Sequence, residues 1–332
     1  MNEKDSRNLS QVVMEEMDIR SRRCQKFVRT LLLSEKFEYE KLREALKHYF
    51  TYWNDPSHPG LFSVACEAVG CDPTNQIEPE AALSMLAAAF DLHDDIIDGS
   101  KSKNGVPTVL GKYGPEITLL LGNAFMTYGF TLMGKAADKL PRERSDKVFS
   151  VLKTLFFEVG NAHASELSMK HKFGVSPRQY MRIIEKKAAS TEADMRIGAL
   201  FGGGNAEEID AMARCGRILG TLAMLREEFI DVFDKEELNH RIQSETLPVP
   251  ILYSLQVKEL KKEIEEILDK KRLGAQDIHR LLDIVMNSSP VEALRKHMKG
   301  LVIIVNDLSR KIPNVETRKL LNNMVTCTLE DL

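Results

Sequence analysis

From Ala81 to Phe90 only Ser84 interrupts a run of Ala, Leu, Met and Phe. A helix that is apolar on every side has no face to offer water, so other helices must enclose it. The same stretch then turns acidic. Asp91, Asp94, Asp95 and Asp98 follow at i, i+3, i+4 and i+7, which puts four carboxylates on one face ahead of Gly99, a C′ residue. Repulsion one turn apart and the negative end of the macrodipole both oppose this arrangement. A solvated helix end would account for an isolated Asp-x-x-Asp-Asp, but the apolar run in front argues against solvation, and a hard cation supplies the missing attraction. A second cluster, Glu227-Glu228-Phe229-Ile230-Asp231, repeats the spacing about 130 residues later, again behind an apolar segment, Ile218 to Leu225.

Along the rest of the chain apolar residues recur with a period near 3.6, and no stretch alternates as a strand would. Helices are expected over residues 8–34, 37–51, 60–70, 79–98, 115–136, 142–171, 177–201, 206–232, 249–257, 258–270, 275–287, 290–311 and 314–329, with short turns around Asp55 to Pro59. Ser176-Pro177-Arg178-Gln179, Asn205-Ala206-Glu207-Glu208 and Ser289-Pro290-Val291-Glu292 have the form of capping boxes. Connections are short, and linkers, repeats and low-complexity segments are lacking. A single all-helical domain over residues 1–332 is the expectation.

The 332 residues, 43% of them hydrophobic, suffice for a large core. With a net charge of −3, nothing suggests nucleic acid or an anionic membrane surface as the main partner. Five scattered cysteines (Cys24, Cys66, Cys71, Cys215, Cys327) fit reduced thiols, the first residues lack a signal-peptide core, and no apolar run is read as a membrane span. A cytoplasmic protein is expected.

Two carboxylate clusters on facing helices suit several Mg2+ ions around a diphosphate, whose departure from an allylic carbon they would assist. The remaining walls must then be apolar, since water would quench the cation. Phe90, Met85, Leu86, Phe125, Phe130, Met224 and Phe229 supply apolar bulk near the clusters, although each alone is more often plain core.

Asp94-Asp95-Ile96-Ile97-Asp98 followed by Gly105-Val106-Pro107-Thr108, then Lys186-Lys187-Ala188-Ala189-Ser190, Glu227-Glu228-Phe229-Ile230-Asp231 and Glu245-Thr246-Leu247-Pro248 together resemble the trans-isoprenyl diphosphate synthases in order and spacing. The resemblance covers roughly residues 10–330. It implies a bundle of mostly antiparallel helices around a deep apolar cavity, and a homodimer or a heteromer with a related synthase. It makes Asp94, Asp95 and Asp98 the first metal motif, with Mg2+ and an allylic prenyl diphosphate. Glu227, Glu228 and Asp231 become the second motif, and Lys187 the lysine that contacts the diphosphate. Asp94, Asp95 and Lys187 are the expected catalytic residues. Phe90, one turn deeper than Asp94, matches the position that limits the length of a growing chain.

The departures concern the acceptor. The Gly-Gly-Lys-x-x-Arg segment that binds isopentenyl diphosphate in the family is replaced by Trp53-Asn54-Asp55-Pro56-Ser57-His58-Pro59. Asp55 there sets a negative charge where an anion should dock. The arginine expected before Gly105 is Lys103-Asn104, and the second motif opens with two glutamates, whose extra methylene moves the carboxylate by about an ångström. Lys103, Lys235, Arg226 and Arg241 are the candidate replacement cations.

The leading expectation is therefore an Mg2+-dependent prenyltransferase that ionises an allylic diphosphate and passes the cation to an acceptor other than isopentenyl diphosphate. An alcohol or other small acceptor, the substrate's own double bond and water all remain open. Ordinary chain elongation with a rebuilt acceptor site is the runner-up. A non-catalytic subunit that modulates a true synthase is the reading from another class.

Overall fold

The computed structural model describes residues 8–332 except 104, 171, 173, 271 and 331. These residues form two compact units, each assembled from three stretches of chain: the first from the described residues of Met1–Leu152, Ala193–Met212 and Ile312–Thr317, the second from those of Lys153–Glu192, Ala213–Lys311 and Arg318–Leu332.

In the first unit the chain forms α1 (Leu9–Ser34), α2 (Glu40–Tyr52), α3 (Ser57–Ala68), a 3-10 turn at Pro73–Asn75 and α4 (Ile77–Asp98). A hairpin of β1 (Ser102–Lys103) and β2 (Val106–Pro107) leads to α5 (Val109–Tyr113) and α6 (Pro115–Ala137). The acidic helix α4 packs against α1, α3, α5 and, most extensively, α6. The residues from Pro79 to Ala89 are buried almost without a break, as an all-round apolar helix requires. Burial of Met85, Leu86 and Leu92 contributes roughly 2 kcal/mol each. Two glycines on α6 permit the close approach. A Cβ at Gly129 would lie 3.0 Å from the Leu86 side chain, and one at Gly122 2.6 Å from the His93 ring. Gly99 ends α4 at φ +71°, and the Ser100 N–H donates to the Asp95 carbonyl at 2.9 Å, closing the turn as its C′ position predicts.

Among the described residues one helix, α6, is long and apolar enough by length and composition alone to cross a membrane, a test that a core helix passes equally. Leu121, Phe125, Leu132 and Met133 form its inner side, whereas Leu119 and Leu120 are about half exposed.

α7 (Arg142–Leu167) runs from the first set of residues into the second, and α9 (Ala189–Phe201) and α10 (Ala206–Phe233) contribute residues to both. The second unit also holds α8 (Pro177–Lys187), α11 (Lys235–Ser244), α12 (Val249–Ser254), α13 (Lys258–Leu268), α14 (Ala275–Met286) and α15 (Ser289–Ser309). α16 (Val315–Cys327) closes the chain. α12 is short because Pro248 and Pro250 set its start, and nearly all of it is buried where it packs on α8, α14 and α15.

Most expected helices are present with ends moved by a few residues. The helix expected over 177–201 is divided at Ala188 into α8 and α9, although Ala188 keeps right-handed helical dihedrals and its N–H donates to the Ile184 carbonyl at 3.0 Å. Around it the packing is tight, and a Cβ at Gly220 would meet Thr191 at 2.6 Å and Ala188 at 3.0 Å. α5, α11 and the hairpin are additions. The expected end of α7 at residue 171 lies outside the described residues, as does Asn104. Of the three capping boxes, the one at Asn205 forms: its side chain accepts from the Glu207 and Glu208 N–H groups, and Glu208 accepts from the Asn205 N–H at 2.8 Å. Ser176 makes no capping bond, and α15 begins at Ser289 itself, behind Ser288, whose hydroxyl donates back to the Val285 carbonyl. None of the five cysteines is in a disulfide.

Candidate functional site

α4 and the hairpin that follows it build the first candidate site. Asp95 is buried, at 1% exposure, while Asp91, Asp94 and Asp98 are half-buried beside it. The hairpin returns Lys103 to this face, its Nζ 2.5 Å from Asp91 Oδ1 and 2.8 Å from Asp95 Oδ1. Burial drives the Asp95 carboxyl up, Lys103 opposes the rise, and the result is about 6. Burial acts on Lys103 in the opposite sense, but Asp91 and Asp95 prevail and hold the ammonium above its usual range. The hairpin is anchored at its base. The Thr108 hydroxyl donates to the Ser100 carbonyl at 2.7 Å, its N–H donates to the Lys101 carbonyl at 3.0 Å, and Gly111 passes so close to that carbonyl that a Cβ would fall 2.0 Å from it.

Beside Asp91 and Lys103 opens a cavity of about 470 Å³, lined among others by Tyr49, Tyr52, Trp53, Asp55 and His58. From α4 it is Ala87, Ala88 and Asp91 that line it; Phe90 is not in this lining and is itself half-buried. Tyr49 places its hydroxyl 3.4 Å from Asp91 and its ring among Trp53, Phe50 and Phe125. Phe125, Met85 and Leu86, expected near the cluster, are fully buried in this core.

The replaced acceptor segment is the start of α3. Asp55 does not face outward as a bare charge: its Oδ1 accepts from the His58 N–H at 3.1 Å and its Oδ2 from the Ser84 hydroxyl at 2.8 Å. His58 Nδ1 donates to the buried Asp194 at 2.7 Å. Burial works to lower the His58 imidazolium, yet Asp194 and Asp55 more than offset it, and its pKa rises to about 10. His58 is therefore a cation at neutral pH on the wall of the cavity. The segment that lacks the family's lysine and arginine thus carries a histidine cation instead. Asp194 and Tyr49 escaped sequence reasoning, since a lone buried Asp and a core Tyr carry no spacing signal.

The second acidic motif, within the other unit, is divided. Glu227 is exposed, with Arg226 3.9 Å away, whereas Glu228 is buried and Asp231 nearly so. Arg241 of α11, 6% exposed, reaches both: its Nη2 lies 3.1 Å from each Glu228 oxygen and its Nη1 donates to Asp231. Burial raises the Asp231 carboxyl, with Arg241 opposing, to about 7. The Tyr180 hydroxyl lies 3.1 Å from both Glu228 and Glu166, and Glu166 in turn pairs with Lys187. Lys235 is exposed at the first turn of α11, Met224 is half-buried, and Phe229 is core, with the Arg295 guanidinium 5.6 Å over its ring. Arg241, offered by the sequence as a replacement cation, is thus engaged with the carboxylates of the second motif.

Among the described residues no three His, Cys, Asp or Glu side chains already converge as a metal cage. The first cluster nevertheless fits a hard cation. Its donors are carboxylate oxygens, and both Asp95 oxygens are buried without a directed hydrogen bond, Lys103 meeting one of them as an ion pair. The second does not fit one as it stands, because the guanidinium occupies Glu228 and Asp231.

A helical fold of this kind, with an acidic cluster ending a buried helix beside a cavity, is that of the isoprenoid synthases. The chain belongs to the polyprenyl synthetase family, whose profile, described as Polyprenyl synthetase, matches residues 40–285, and with it to the prenyltransferases. Similar proteins include a geranylgeranyl diphosphate synthase of Sulfolobus acidocaldarius, 24% identical over 282 residues that cover 82% of this chain and 86% of that protein. A short chain isoprenyl diphosphate synthase of Methanothermobacter thermautotrophicus is 28% identical over 199 residues, 60% of each chain. In fold, the geranylgeranyl pyrophosphate synthetase of Pyrococcus horikoshii matches with a TM-score of 0.85 over 98% of this chain and 100% of that one, at 20% identity.

Proposed function

We propose that this enzyme ionises an allylic prenyl diphosphate at the first acidic cluster and transfers the prenyl cation to an acceptor bound beside it. The observation that carries the reading is the buried Asp95 with Asp91, Asp94, Asp98 and Lys103, set against a cavity walled by Tyr49, Tyr52, Trp53 and alanines of α4. Asp94, Asp95 and Asp98 would hold Mg2+, which when bound neutralises the departing diphosphate. Lys103 is placed to exchange a carboxylate for a diphosphate oxygen. The aromatic wall keeps water away from the developing allylic cation.

The acceptor in this reading is not isopentenyl diphosphate bound in the usual way, since the lysine and arginine that hold it in the family are missing from Trp53–Pro59. One observation favours the second reading, ordinary elongation. His58 and Lys103 both line the cavity as cations, and Asp55 is hydrogen-bonded by Ser84 and the His58 N–H, so an anionic acceptor has partners there. The names of the relatives point the same way.

Incubation of the pure protein with labelled allylic diphosphates of graded length and Mg2+, with and without isopentenyl diphosphate, separates the two. Pyrophosphate release without isopentenyl diphosphate, and little elongated product with it, supports the leading reading. A clean elongated prenyl diphosphate at turnover above ~0.1 s⁻¹ assigns ordinary elongation. Release of no pyrophosphate under either condition overturns both.

A further inference from the structure

The second acidic motif brings its own positive charge. Glu228 accepts four contacts: Arg241 Nη2 at 3.1 Å on each oxygen, the Tyr180 hydroxyl at 3.1 Å on Oε1 and the Val249 N–H at 2.8 Å on Oε2. A carboxylate offers about four lone-pair positions, and the Tyr180 hydroxyl has one proton, equally near Glu166, so Glu228 keeps at most one position for a metal. Asp231 takes the other arm of the guanidinium. Arg241 Nε donates to the Thr246 carbonyl at 2.8 Å and lies 3.4 Å from Glu245, which completes a ring of acceptors around a group closed off from water.

The local chain accounts for this placement. One residue, Asp234, separates α10 from α11, and its side chain caps α11 by accepting from the Glu236 and Glu237 N–H groups. The two helices are thereby tied end to end, and a residue two turns into α11 meets carboxylates of the last turns of α10. The glutamate at 228 has one methylene more than the aspartate usual in the motif. That length carries its carboxylate to the Arg241 fork and to the backbone of Val249 at once.

We infer that Arg241 is a built-in replacement for a divalent cation at Glu228 and Asp231. The second motif takes no metal, and the enzyme's need for divalent ions rests on the first cluster. A guanidinium suits this role: it stays charged at all relevant pH, and its planar fork satisfies two carboxylates along fixed directions. It serves as a positioning residue, holding α11 and the start of α12 against α10 without exchange.

The inference rests on the reading of the first cluster as a metal site only for contrast, and the test keeps the two apart. Mn2+ bound to the full chain is counted by electron paramagnetic resonance, with Mn2+ alone and with inorganic pyrophosphate, in wild type, E228Q, D231N, D94N/D95N and R241Q. Wild type, E228Q and D231N should bind equal numbers of Mn2+, D94N/D95N fewer. R241Q should gain one Mn2+ that E228Q removes again, and in the D94N/D95N background only the R241Q chain should rise in melting temperature when Mn2+ is added. A folded E228Q or D231N protein that loses an Mn2+, or binds it about tenfold more weakly, overturns the inference. So does a folded R241Q protein that gains none. If R241Q does not fold, E228Q and D231N decide alone, since each keeps its size and leaves Arg241 one carboxylate. An unchanged count in D94N/D95N removes the metal reading of the first cluster, and E228Q then decides for Arg241 by itself.

Discussion

Asp95 is the most costly residue of the first site: a carboxylate at 1% exposure among three others, compensated by an ammonium eight residues further on. Replacing Asp94 or Asp95 by Ala should lower pyrophosphate release by roughly 10²-fold, about 3 kcal/mol of charge stabilisation in the transition state. Unchanged release from a folded Asp94→Ala protein sinks the assignment. His58 allows a pH test. Its pKa rises from 6.5 to about 10 on folding, so its contribution to stability is complete below pH 6.5 and is lost as pH rises through 10. Urea titrations should therefore show stability declining over that window. In His58→Gln the decline should flatten, with a loss of ~3 kcal/mol at pH 6, because Asp194 is left buried without its partner. An equal slope in both proteins counts against a charged His58. The aspartates were legible in the sequence because they share a helical face behind an apolar run. The cations were legible only as candidates: Lys103 and Arg241 stand in the sequence beside Lys235 and Arg226, and only the hairpin and the α10–α11 corner show what each one meets.

At the scale of elements, periodicity marks α4, α6 and α10 because their long apolar patterns leave one solution. It does not foresee the division at Ala188, where no proline or glycine near that residue signals one. It fails also for α11, ten mostly polar residues, and for strands of two residues, too short to alternate. Close packing gives a direct test. A Cβ at Gly198 would fall 2.5 Å from the Phe62 carbonyl oxygen, a backbone atom that cannot turn aside, so Gly198→Ala should cost ~2 kcal/mol in chemical denaturation. A change below ~0.5 kcal/mol would mean that α3 and α9 separate easily. Phe90 poses the opposite question. If it is the floor of a prenyl pocket, Phe90→Ala accepts a donor one isoprene unit longer with modest loss of stability. If it is core, the variant loses ~3–5 kcal/mol and keeps its donor preference. Melting temperature measured together with donor preference separates the two.

For the whole molecule, α6 raises the question of assembly. A helix this apolar, with Leu119 and Leu120 about half exposed, leaves hydrophobic surface that a second copy would cover. Light scattering should give twice the 37.6 kDa of one chain, and Leu120→Lys should shift the mass toward one. A wild-type monomer at micromolar concentration removes the homodimer expected from the family resemblance. Nothing in the sequence pattern separates a helix that is apolar because it is enclosed from one that is apolar because it meets a partner.

Lys103 has one more implication. Because its ammonium rests between Asp91 and Asp95 on an anchored hairpin, the acidic cluster is an internal salt before any ion arrives. Cation uptake is then an exchange reaction, one positive charge leaving as another enters, rather than the filling of a repulsive hole. Folding and ion loading become separable: a chelator should silence turnover while the melting temperature moves by no more than about 2 °C. A newly made chain in ion-poor surroundings would keep its shape and wait, inactive and intact, for the ion and the diphosphate to arrive together.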